Sequence, residues 1–393
     1  MAGGMRKLIS LPTILLLGML LLFLWWATGD GTVDNSIRDE PASFSMRPKH
    51  DDWLTKPAKK LVDDADIAQS SFCPIANSVE LENYTSAHIT NLTTGVPFDI
   101  YLRKEGDLVS SHILRYGSWE PDLVAGCIHR LSTVAKRKSQ RNSVLLDIGS
   151  NIGFFAFAAA AAGHHTIAIE MMGQNQAALM KSFCKNRNLM DRIRILPFGL
   201  GAKGRSVCLA YAADFNLLNG IIKCNADGNG DVKALADDLP KEFVVLGETV
   251  VVTLDELLPV IPELWDVGVV KMDTEGFESH VMKGSREFFR QVTPPYVMTE
   301  ISNYMSRRAN ANPRDVLVDF DSYGYNIHAN SWDGPIISNK ASNPTPPQGY
   351  VSSAPKQEWD GFEEYLHGIG ESLAEIFLIH KSIEGVRVSS QSQ

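Results

Sequence analysis

The sequence contains little cysteine and no surplus of positive charge, and both shortages exclude classes of protein. Five cysteines are spread over 393 residues, and no two of them form a Cys-x-x-Cys pair. This excludes a small disulfide-built domain and argues against a structural zinc site. Lysine and arginine number 37 against 46 aspartates and glutamates, which gives a net charge of −9. Because an acidic chain is poorly suited to a phosphate backbone, we do not expect nucleic acid as a partner.

Charge is absent altogether from residues 8–27, which read LISLPTILLLGMLLLFLWWA. A helix of these 20 residues would cross roughly the 30 Å hydrocarbon core of a bilayer. Arg6 and Lys7 precede the run, acidic residues dominate after it, and two tryptophans end it, as is typical of a membrane boundary. We therefore predict a cytosolic tail over 1–7, a transmembrane signal anchor over 8–27, and the rest of the chain in a secretory lumen.

Two other interpretations of this segment stay open, a cleaved signal peptide followed by secretion and a buried core helix. The length of the run and its terminal tryptophans favour the anchor, so we expect a single-pass type II membrane protein of the ER or Golgi. The sequons at Asn83 and Asn91 agree with a lumenal glycoprotein, although sequons also arise by chance. Five cysteines leave at least one unpaired, and one or two disulfides can form in a connectivity that the sequence leaves open.

The remainder of the chain divides by composition into three parts. Residues 28–79 are polar, contain several prolines and lack apolar periodicity, which indicates a stem or linker. Residues 80–385 alternate strand-like and helix-like segments, the pattern of an α/β domain with a largely parallel sheet, and 386–393 read as a flexible polar tail. The predicted strands are 144–146, 166–169, 192–196, 250–253, 267–272, 296–299 and 374–380, and the predicted helices include 277–289 and 313–323.

The clearest strand–loop–helix is SVLLDIGSNIGFFAFAAAAAG, residues 143–163. Gly149 and Gly153 flank a tight loop, and glycine lets a backbone approach a ligand closely. The next strand ends in Glu170, 23 residues after Asp147, close to the ~20-residue offset at which an acid accepts hydrogen bonds from a ribose. This arrangement predicts a nucleotide-containing cofactor. The alternative is purely structural, with glycines that turn the chain and an aspartate that caps the helix.

Asp147 distinguishes two cofactors of this kind. NAD would bring a pyrophosphate to the turn, which an adjacent carboxylate would repel. S-adenosylmethionine carries an ammonium and a sulfonium and no phosphate, so an acid there would attract it. The loop also reads G-S-N-I-G rather than the dinucleotide pattern G-x-G-x-x-G. These features favour S-adenosylmethionine over NAD.

Five segments together resemble the FkbM-type methyltransferase family. In chain order, within residues 95–380, they are LLDIGSNIGFFAFAAAAAG, IAIEMMGQN, LPFGLGAKGRSVCL, VVVTLDELL and VVKMDTEGFESHVMKGSREFF. The resemblance implies a class I methyltransferase fold, a Rossmann-like α/β domain. Its sheet has seven strands, is mostly parallel with an antiparallel last strand, and carries helices on both faces. The resemblance also implies an S-adenosylmethionine-dependent O-methyltransferase acting on sugars or other small molecules.

The same resemblance assigns cofactor-binding residues by position. Those expected to line the methionine part of the cofactor are Asp147, Gly149, Asn151 and Gly153. Glu170 should hold the ribose. Phe198 and Gly199, after the third strand, should lie near the adenine. Phe198 stands where the family often has a small residue, so we expect the adenine pocket to differ in shape.

Methyl transfer to a hydroxyl is an in-line displacement, which a general base or a metal would assist. Asp273 and Glu275 follow one predicted strand and Glu300 ends the next, at the edge of the sheet where ligands bind. We predict these three acids as catalytic candidates, with Asp273 and Glu275 as a base or a shared metal site. The alternative for Asp273, Glu275 and Glu278 is helix capping. His328 is a weaker candidate base.

The insertion 225–242 is rich in Asp, Gly and Lys and predicts a mobile flap beside the acceptor site, since its DGNGD segment lacks the EF-hand pattern. The sequence therefore predicts an enzyme that O-methylates a glycan or a small secreted metabolite. The alternatives are an N- or carboxyl-methyltransferase, a degenerate nucleotide-binding module without transfer activity, and an NAD-dependent oxidoreductase. The acceptor, the use of a metal, the retaining compartment and the oligomeric state stay open.

Overall fold

A computed structural model of the chain describes residues 55–74, 76, 82–90, 92, 95–213, 216–217, 219–224, 235–236, 239, 243–339, 358–359 and 361–383. The predicted anchor 8–27, most of the predicted stem, the sequon at Asn91, most of the insertion 225–242 and the tail 386–393 lie outside these residues. Within the described ranges, no helix is both long and apolar enough to span a membrane.

Helices and strands alternate along most of the described chain. The α-helices are α1 (Ala58–Phe72), α2 (Leu108–Tyr116), α3 (Pro121–Arg137), α4 (Phe154–Ala161), α5 (Gly173–Lys185), α6 (Leu254–Leu257), α7 (Glu278–Lys283), α8 (Arg286–Gln291), α9 (Asn303–Arg308), α10 (Pro313–Ser322) and α11 (Phe362–Ile369), and short 3₁₀ segments span Arg187–Arg192 and Pro262–Asp266. The strands are β1 (Tyr84–Ile89), β2 (Phe98–Arg103), β3 (Val144–Ile148), β4 (His165–Ile169), β5 (Ile193–Leu196), β6 (Gly199–Leu200), β7 (Ser206–Ala213), β8 (Ile221–Cys224), β9 (Phe243–Val252), β10 (Val267–Met272), β11 (Tyr296–Ser302), β12 (Tyr325–Ala329), β13 (Ile336–Ile337), β14 (Glu358–Trp359) and β15 (Leu373–His380).

The large sheet has nine strands in the described part of the chain, in the order β5-β4-β3-β10-β11-β15-β12-β13-β14. The first five strands in this order, β5, β4, β3, β10 and β11, pair in parallel. Strand β15 runs antiparallel to both of its neighbours, β11 and β12. The sheet is thus mixed, with the antiparallel last strand that the resemblance predicts. The predicted number of seven strands is wrong, because β13 and β14 extend one edge. Each has only two residues, too few to show a periodic pattern in the sequence.

Side chains alternate along the strands, so the two faces of the large sheet bury different cores. On β3, Leu146 and Ile148 belong to one core and Leu145 to the other. The first core includes side chains of α6, α7, α8 and α10, and the second includes side chains of α3, α4 and α5. Helices therefore cover both faces, which explains why β3 and β10 are largely apolar runs without a polar face.

Two smaller sheets accompany the large one. Strands β1 and β2 pair antiparallel, and a four-stranded sheet has the order β6-β9-β7-β8. The sequence analysis predicts only residues 250–253 of the second sheet as a strand, whereas β9 begins at Phe243. The first six residues of β9 are only half-buried and include Gly247 and Glu248, residue types that are depleted in strands. This composition hides the strand from a pattern-based prediction.

The single helix predicted over 277–289 is wrong, because two short helices, α7 and α8, occupy this region. They are separated at Gly284 and Ser285. A Cβ atom on Gly284 would lie 1.9 Å from the carbonyl oxygen of Gly201, so a close backbone contact requires glycine there. The apolar residues keep a helical spacing across the break, and periodicity alone therefore conceals it.

Helix α1 lies inside the segment predicted as a stem, yet its side chains pack into the fold. Leu61 and Ala65 are buried in the first core. The side-chain amide of Gln69 donates a hydrogen bond to the carbonyl oxygen of Ile193 (2.8 Å) and accepts one from the amide of Ile195 (2.9 Å). Gln69 thus pairs with the outer backbone edge of β5 in the way that another strand would.

Two disulfides join four of the five cysteines. Cys73, directly after α1, bonds to Cys184 in α5, and Cys208 of β7 bonds to Cys224 of β8. Cys127 on α3 is a buried free thiol. The odd count in the sequence predicts at least one unpaired cysteine, and the fold supplies the connectivity.

This pairing predicts a simple pattern of thiol reactivity. We expect no reactive cysteine in the native protein and one per chain after denaturation without reductant, because Cys127 is buried. The double replacement Cys73→Ser and Cys184→Ser opens a separation of 111 residues and should lower the unfolding free energy by about 2–5 kcal/mol. Thiol titration and urea unfolding measure the two effects. More than one reactive thiol in the denatured, unreduced protein would contradict the pairing.

Candidate functional site

The loops that follow β3, β4 and β10 meet at the edge where the parallel strands end. The strand order reverses between β3 and β10, because the chain leaves β3 toward β4 on one side and later enters β10 on the other. Open α/β sheets bind ligands at such a switch point. Here a cavity of about 560 Å³, the first cavity, is lined by residues 148, 149, 151, 169–172, 175, 198–200, 219, 220, 222, 273–275 and 277.

The loop after β3 lies directly against the loop after β10. The amide of Asp273 donates to the carbonyl oxygen of Ile148 (3.0 Å). A Cβ atom on Gly149 would lie 1.8 Å from the carbonyl oxygen of Asp273, and Gly149 also has a φ of +76°. Glycine is therefore required there both by the contact and by the conformation. Gly153, the other predicted glycine, immediately precedes α4 and does not line the first cavity, and a Cβ atom there would lie 2.2 Å from the side chain of Leu179.

Glu170 ties the loop after β3 to the loop after β4. One carboxylate oxygen accepts a hydrogen bond from the amide of Asn151 and the other from the amide of Met172, both at 2.7 Å. Burial raises the pKa of Glu170 to about 7, although these hydrogen bonds oppose the shift. The side chain of Asn175 donates a further hydrogen bond to this carboxylate, which has about four acceptor sites and so keeps about one. Glu170 can therefore hold both loops and still accept a hydrogen bond from a ligand hydroxyl in the first cavity, which it lines together with Asn151.

Phe198 and Gly199, predicted near the adenine, line the first cavity together with Met171 and Met172. Phe198 is fully buried in the first core, so its ring is fixed by packing. A Cβ atom on Gly199 would lie 3.2 Å from the side chain of Val251, which leaves little room for a larger residue. This part of the lining is apolar and suits a flat aromatic group.

Asp147 is not among the residues that line the first cavity. Side chains alternate along a strand, and on β3 Ile148 faces the cavity while Asp147 points to the opposite face. The Asp147 carboxylate is fully buried, 3.7 Å from Nζ of Lys271 on the neighbouring strand β10. Burial raises the pKa of Asp147 to about 6, against the opposing effect of Lys271. The choice between cofactors therefore depends on acids other than Asp147.

Asp273, Thr274 and Glu275 follow β10 and line the first cavity. The turn is tight, with φ values of +57° at Glu275 and +93° at Gly276. The carboxylate of Glu278 accepts hydrogen bonds from the amide of Thr274 (2.9 Å), its hydroxyl (3.0 Å) and the amide of Gly276 (3.2 Å). Glu278 thus fixes the turn that presents the other two acids. Burial, followed by the charges of Asp273 and Glu278, raises the pKa of Glu275 to about 8.

A second cavity, of about 280 Å³, shares Asp273 with the first. Its other acidic residues are Glu120, Glu300 and Glu375, and Lys271 also lines it. One oxygen from each of the three glutamates lies within 4.8 Å of the others. Glu300, predicted as a catalytic candidate, is therefore placed in the second cavity rather than beside Glu170.

Burial and mutual repulsion disfavour the charged forms of these glutamates. Burial and then the charge of Asp273 raise the pKa of Glu120 to about 8 and that of Glu375 to about 7, and they raise the pKa of Glu300 well above its usual value. Among the described residues, these three form the group whose spacing could hold a metal ion. Glu275, which the sequence suggests as a metal partner of Asp273, does not belong to that group.

The sequence analysis missed Glu120 and Glu375. Glu120 immediately precedes α3 in a left-handed conformation, with a φ of +43°, and belongs to no recognised motif. Glu375 lies near the start of β15 and pairs directly with Glu300 of β11. Because β15 is antiparallel, its first residues lie where the parallel strands end, and this direction is the signal that could have found Glu375. His328 lines neither cavity.

A mixed sheet that is covered on both faces, with an acid-lined cavity where its parallel strands change order, is the arrangement at which α/β proteins commonly bind small ligands. Residues 147–327 match the family model described as methyltransferase FkbM domain. Over these residues the match confirms the resemblance to the FkbM-type methyltransferase family. All residues predicted to bind the cofactor and the three acids predicted as catalytic candidates lie within the matched segment, whereas His328, the weaker candidate, lies one residue beyond it.

Comparison with solved structures gives matches at low sequence identity. The precorrin-6y C5,15-methyltransferase from Geobacter metallireducens is 9% identical, with 67% of this chain and 92% of that chain covered and a TM-score of 0.29. The C-terminal domain of the Rhodobacter capsulatus precorrin-6Y C5,15-methyltransferase is 12% identical, with 67% and 91% covered and a TM-score of 0.29. WbdD is 9% identical, with 70% and 44% covered and a TM-score of 0.33. A search of curated proteins gave no significant match.

The raised carboxyl pKa values predict a stability that falls with pH. A carboxyl whose pKa is higher in the folded state contributes stability that is present below its unfolded pKa and lost as the pH rises through the folded pKa. For Glu120 and Glu375 this loss extends to about pH 8 and about pH 7. Between about pH 6.5 and 8, we expect the deprotonation of each of these two glutamates to lower the unfolding free energy by at most ~1.4 kcal/mol per pH unit.

Urea unfolding at the two pH values measures this loss. The double variant Glu120→Gln and Glu375→Gln should lose less unfolding free energy than the wild type between the two pH values, because two titrating groups are gone. Glu105→Gln makes the same chemical change on an exposed side chain that lines neither cavity, and it should follow the wild type. An equal fall in all three proteins would contradict the prediction.

Proposed function

We propose that the protein is an S-adenosylmethionine-dependent methyltransferase that binds this cofactor in the first cavity. The observation that carries the proposal is the charge of the lining. Glu170, Asp273 and Glu275 contribute carboxylates, and no lysine, arginine or histidine is among the described lining residues. The pKa values of Glu170 and Glu275 are raised to about 7 and about 8, and a bound sulfonium and ammonium would lower both values and favour the ionised carboxylates. A pyrophosphate would be repelled by those same carboxylates. Acids that face the cavity thus provide the selectivity that the sequence analysis attributes to Asp147.

The lining also matches the proposed cofactor part by part. Gly149 and Asn151 bring backbone close to the methionine moiety, and Phe198 with Gly199 offers an apolar surface to the adenine. Glu170, which already accepts three hydrogen bonds, keeps an acceptor site for a ribose hydroxyl. When bound, S-adenosylmethionine supplies a methyl group that an acceptor oxygen can take from the sulfonium sulfur. The chain positions the reactants, which is most of what this reaction requires.

We further propose that the acceptor is bound in the second cavity, because Asp273 lines both cavities. From this shared position the Asp273 carboxylate can accept the proton of an acceptor hydroxyl as that oxygen attacks the methyl group. Glu275, which lines only the first cavity, would lie near the positive charge of the cofactor. Glu300, which lines only the second, would accept hydrogen bonds from the acceptor.

The acceptor that we propose is a hydroxyl of a glycan or a small secreted metabolite, methylated by the lumenal domain of a type II membrane protein of the ER or Golgi. The charge-free run 8–27 supports this topology. The two disulfides support it as well, because such bonds persist in oxidising compartments. Asn83 is exposed immediately before β1, where its sequon is accessible to a glycan.

Calorimetry tests the cofactor. We expect S-adenosylmethionine and S-adenosylhomocysteine to bind and NAD not to bind. In Glu170→Gln the affinity for S-adenosylhomocysteine should fall about tenfold or more, because a charged acceptor for the ribose hydroxyls is lost. The exposed-site control Glu105→Gln should bind as the wild type does. Binding of NAD without binding of S-adenosylmethionine would overturn the proposal in favour of an oxidoreductase.

Methyl-labelled S-adenosylmethionine, incubated with extracted glycans and metabolites of the secretory pathway, tests transfer. We expect labelled product from the wild type. Asp273→Asn should lower turnover by about 10²–10⁴-fold, the usual contribution of a general base, with little change in the affinity for S-adenosylhomocysteine. Cofactor binding without any labelled product would instead indicate a degenerate module. An equal loss of cofactor affinity in Asp273→Asn and Glu170→Gln would assign Asp273 to cofactor binding.

A further inference from the structure

Lys271 is the one buried lysine in the described part of the chain. It lies on β10, directly opposite Asp147 on β3. Its Nζ atom is 3.1 Å from Oδ2 of Asp273, 3.5 Å from the carbonyl oxygen of Gly149 and 3.7 Å from Oδ1 of Asp147. The ammonium therefore contacts both loops that meet at the switch point, and it also lines the second cavity.

Asp147 and Lys271 depend on each other electrostatically. Both oxygens of Asp147 are buried and lack a hydrogen bond of normal geometry among the described residues. The ammonium of Lys271 and, more weakly, the amide of Ala156 favour its charged form, so the ammonium is the compensating charge. Burial alone would lower the pKa of Lys271, but Asp273, Asp147 and Glu120 outweigh it and raise the pKa above its usual value. Lys271 is therefore a permanent cation beneath the two loops.

The distances show that Lys271 does more than neutralise Asp147. Its short contact, at hydrogen-bonding distance, is with Asp273, whereas the contact with Asp147 is longer than a hydrogen bond. Asp273 is the residue that lines both cavities, and its side chain is partly exposed. The ammonium thus holds one oxygen of that carboxylate and leaves the other oxygen to a ligand.

We propose that Lys271 is a positioning residue for methyl transfer. It donates a hydrogen bond to Oδ2 of Asp273 and so directs Oδ1 toward the acceptor hydroxyl, while Asp147 is its counter-charge in the core. The inference rests on the proposed function, because Lys271 acts through the role of Asp273 as the base. The ammonium also contacts the carbonyl oxygen of Gly149, so it fixes the distance between the Asp273 carboxylate and the loop after β3.

A paired replacement separates positioning from simple charge compensation. Lys271→Met alone leaves Asp147 buried without a counter-charge and should destabilise the fold strongly. The double variant Asp147→Asn and Lys271→Met removes both charges, and its reference is Asp147→Asn alone. Relative to that reference, we expect similar urea unfolding and similar S-adenosylhomocysteine affinity, but methyl transfer into the same extract at least about tenfold slower.

Lys271→Arg provides the second variant, because it keeps the charge and a donor and preserves compensation of Asp147. It should fold, bind S-adenosylhomocysteine as the wild type does and retain more turnover than the double variant. Transfer by the double variant as fast as by Asp147→Asn would overturn the inference and leave the proposed function intact. A parallel loss of cofactor affinity and turnover would also overturn it. A wild type that binds no S-adenosylmethionine or forms no labelled product would refute the proposed function, and this inference with it.

Discussion

The register of β10 against β3 is the constraint on which the site depends. It places Lys271 opposite Asp147 and lets the amide of Asp273 reach the carbonyl oxygen of Ile148 at 3.0 Å. That hydrogen bond brings the two loops so close that only glycine fits at position 149. A slip of β10 by one residue would turn Lys271 to the other face and remove Asp273 from the wall that the two cavities share. The pairing of β10 with β3 thus determines the geometry of the site.

The first cavity could be predicted from the sequence to the extent that its residues belong to local patterns. Glycine in the turn and an acid at the next strand end are local signals, and Gly149 and Glu170 do line the cavity. The placement of Asp147 could not be predicted, because strand alternation sends the residue before Ile148 to the opposite face. Glu375 was missed for another reason, since it joins Glu300 only when β15 returns antiparallel from far along the chain, a direction that the family resemblance implies but that no local pattern shows.

Negative charge is concentrated at this edge of the sheet beyond what folding alone would favour. Glu300 and Glu375 lie directly opposite each other in the β11–β15 ladder, an arrangement that costs stability between like charges. Lys271 is the one basic residue among the described residues that line the two cavities, and it is already engaged by Asp273 and Asp147. Protonation or a cationic ligand would relieve the repulsion between these carboxylates. Binding of such a ligand should therefore raise the stability of the fold.

The contacts of Gln69 indicate that residues before the predicted domain boundary belong to the folded domain. Its amide occupies the hydrogen-bonding groups of Ile193 and Ile195 on the outermost parallel strand, a row that would otherwise be open to a strand from another molecule. A chain shortened to begin at residue 80 would retain every proposed site residue and both strands of the switch point. It would also present the bare edge of β5 and lack Cys73, the partner of Cys184. Helix α1, which precedes the predicted domain boundary, thus covers through Gln69 a strand edge that could otherwise pair with another molecule.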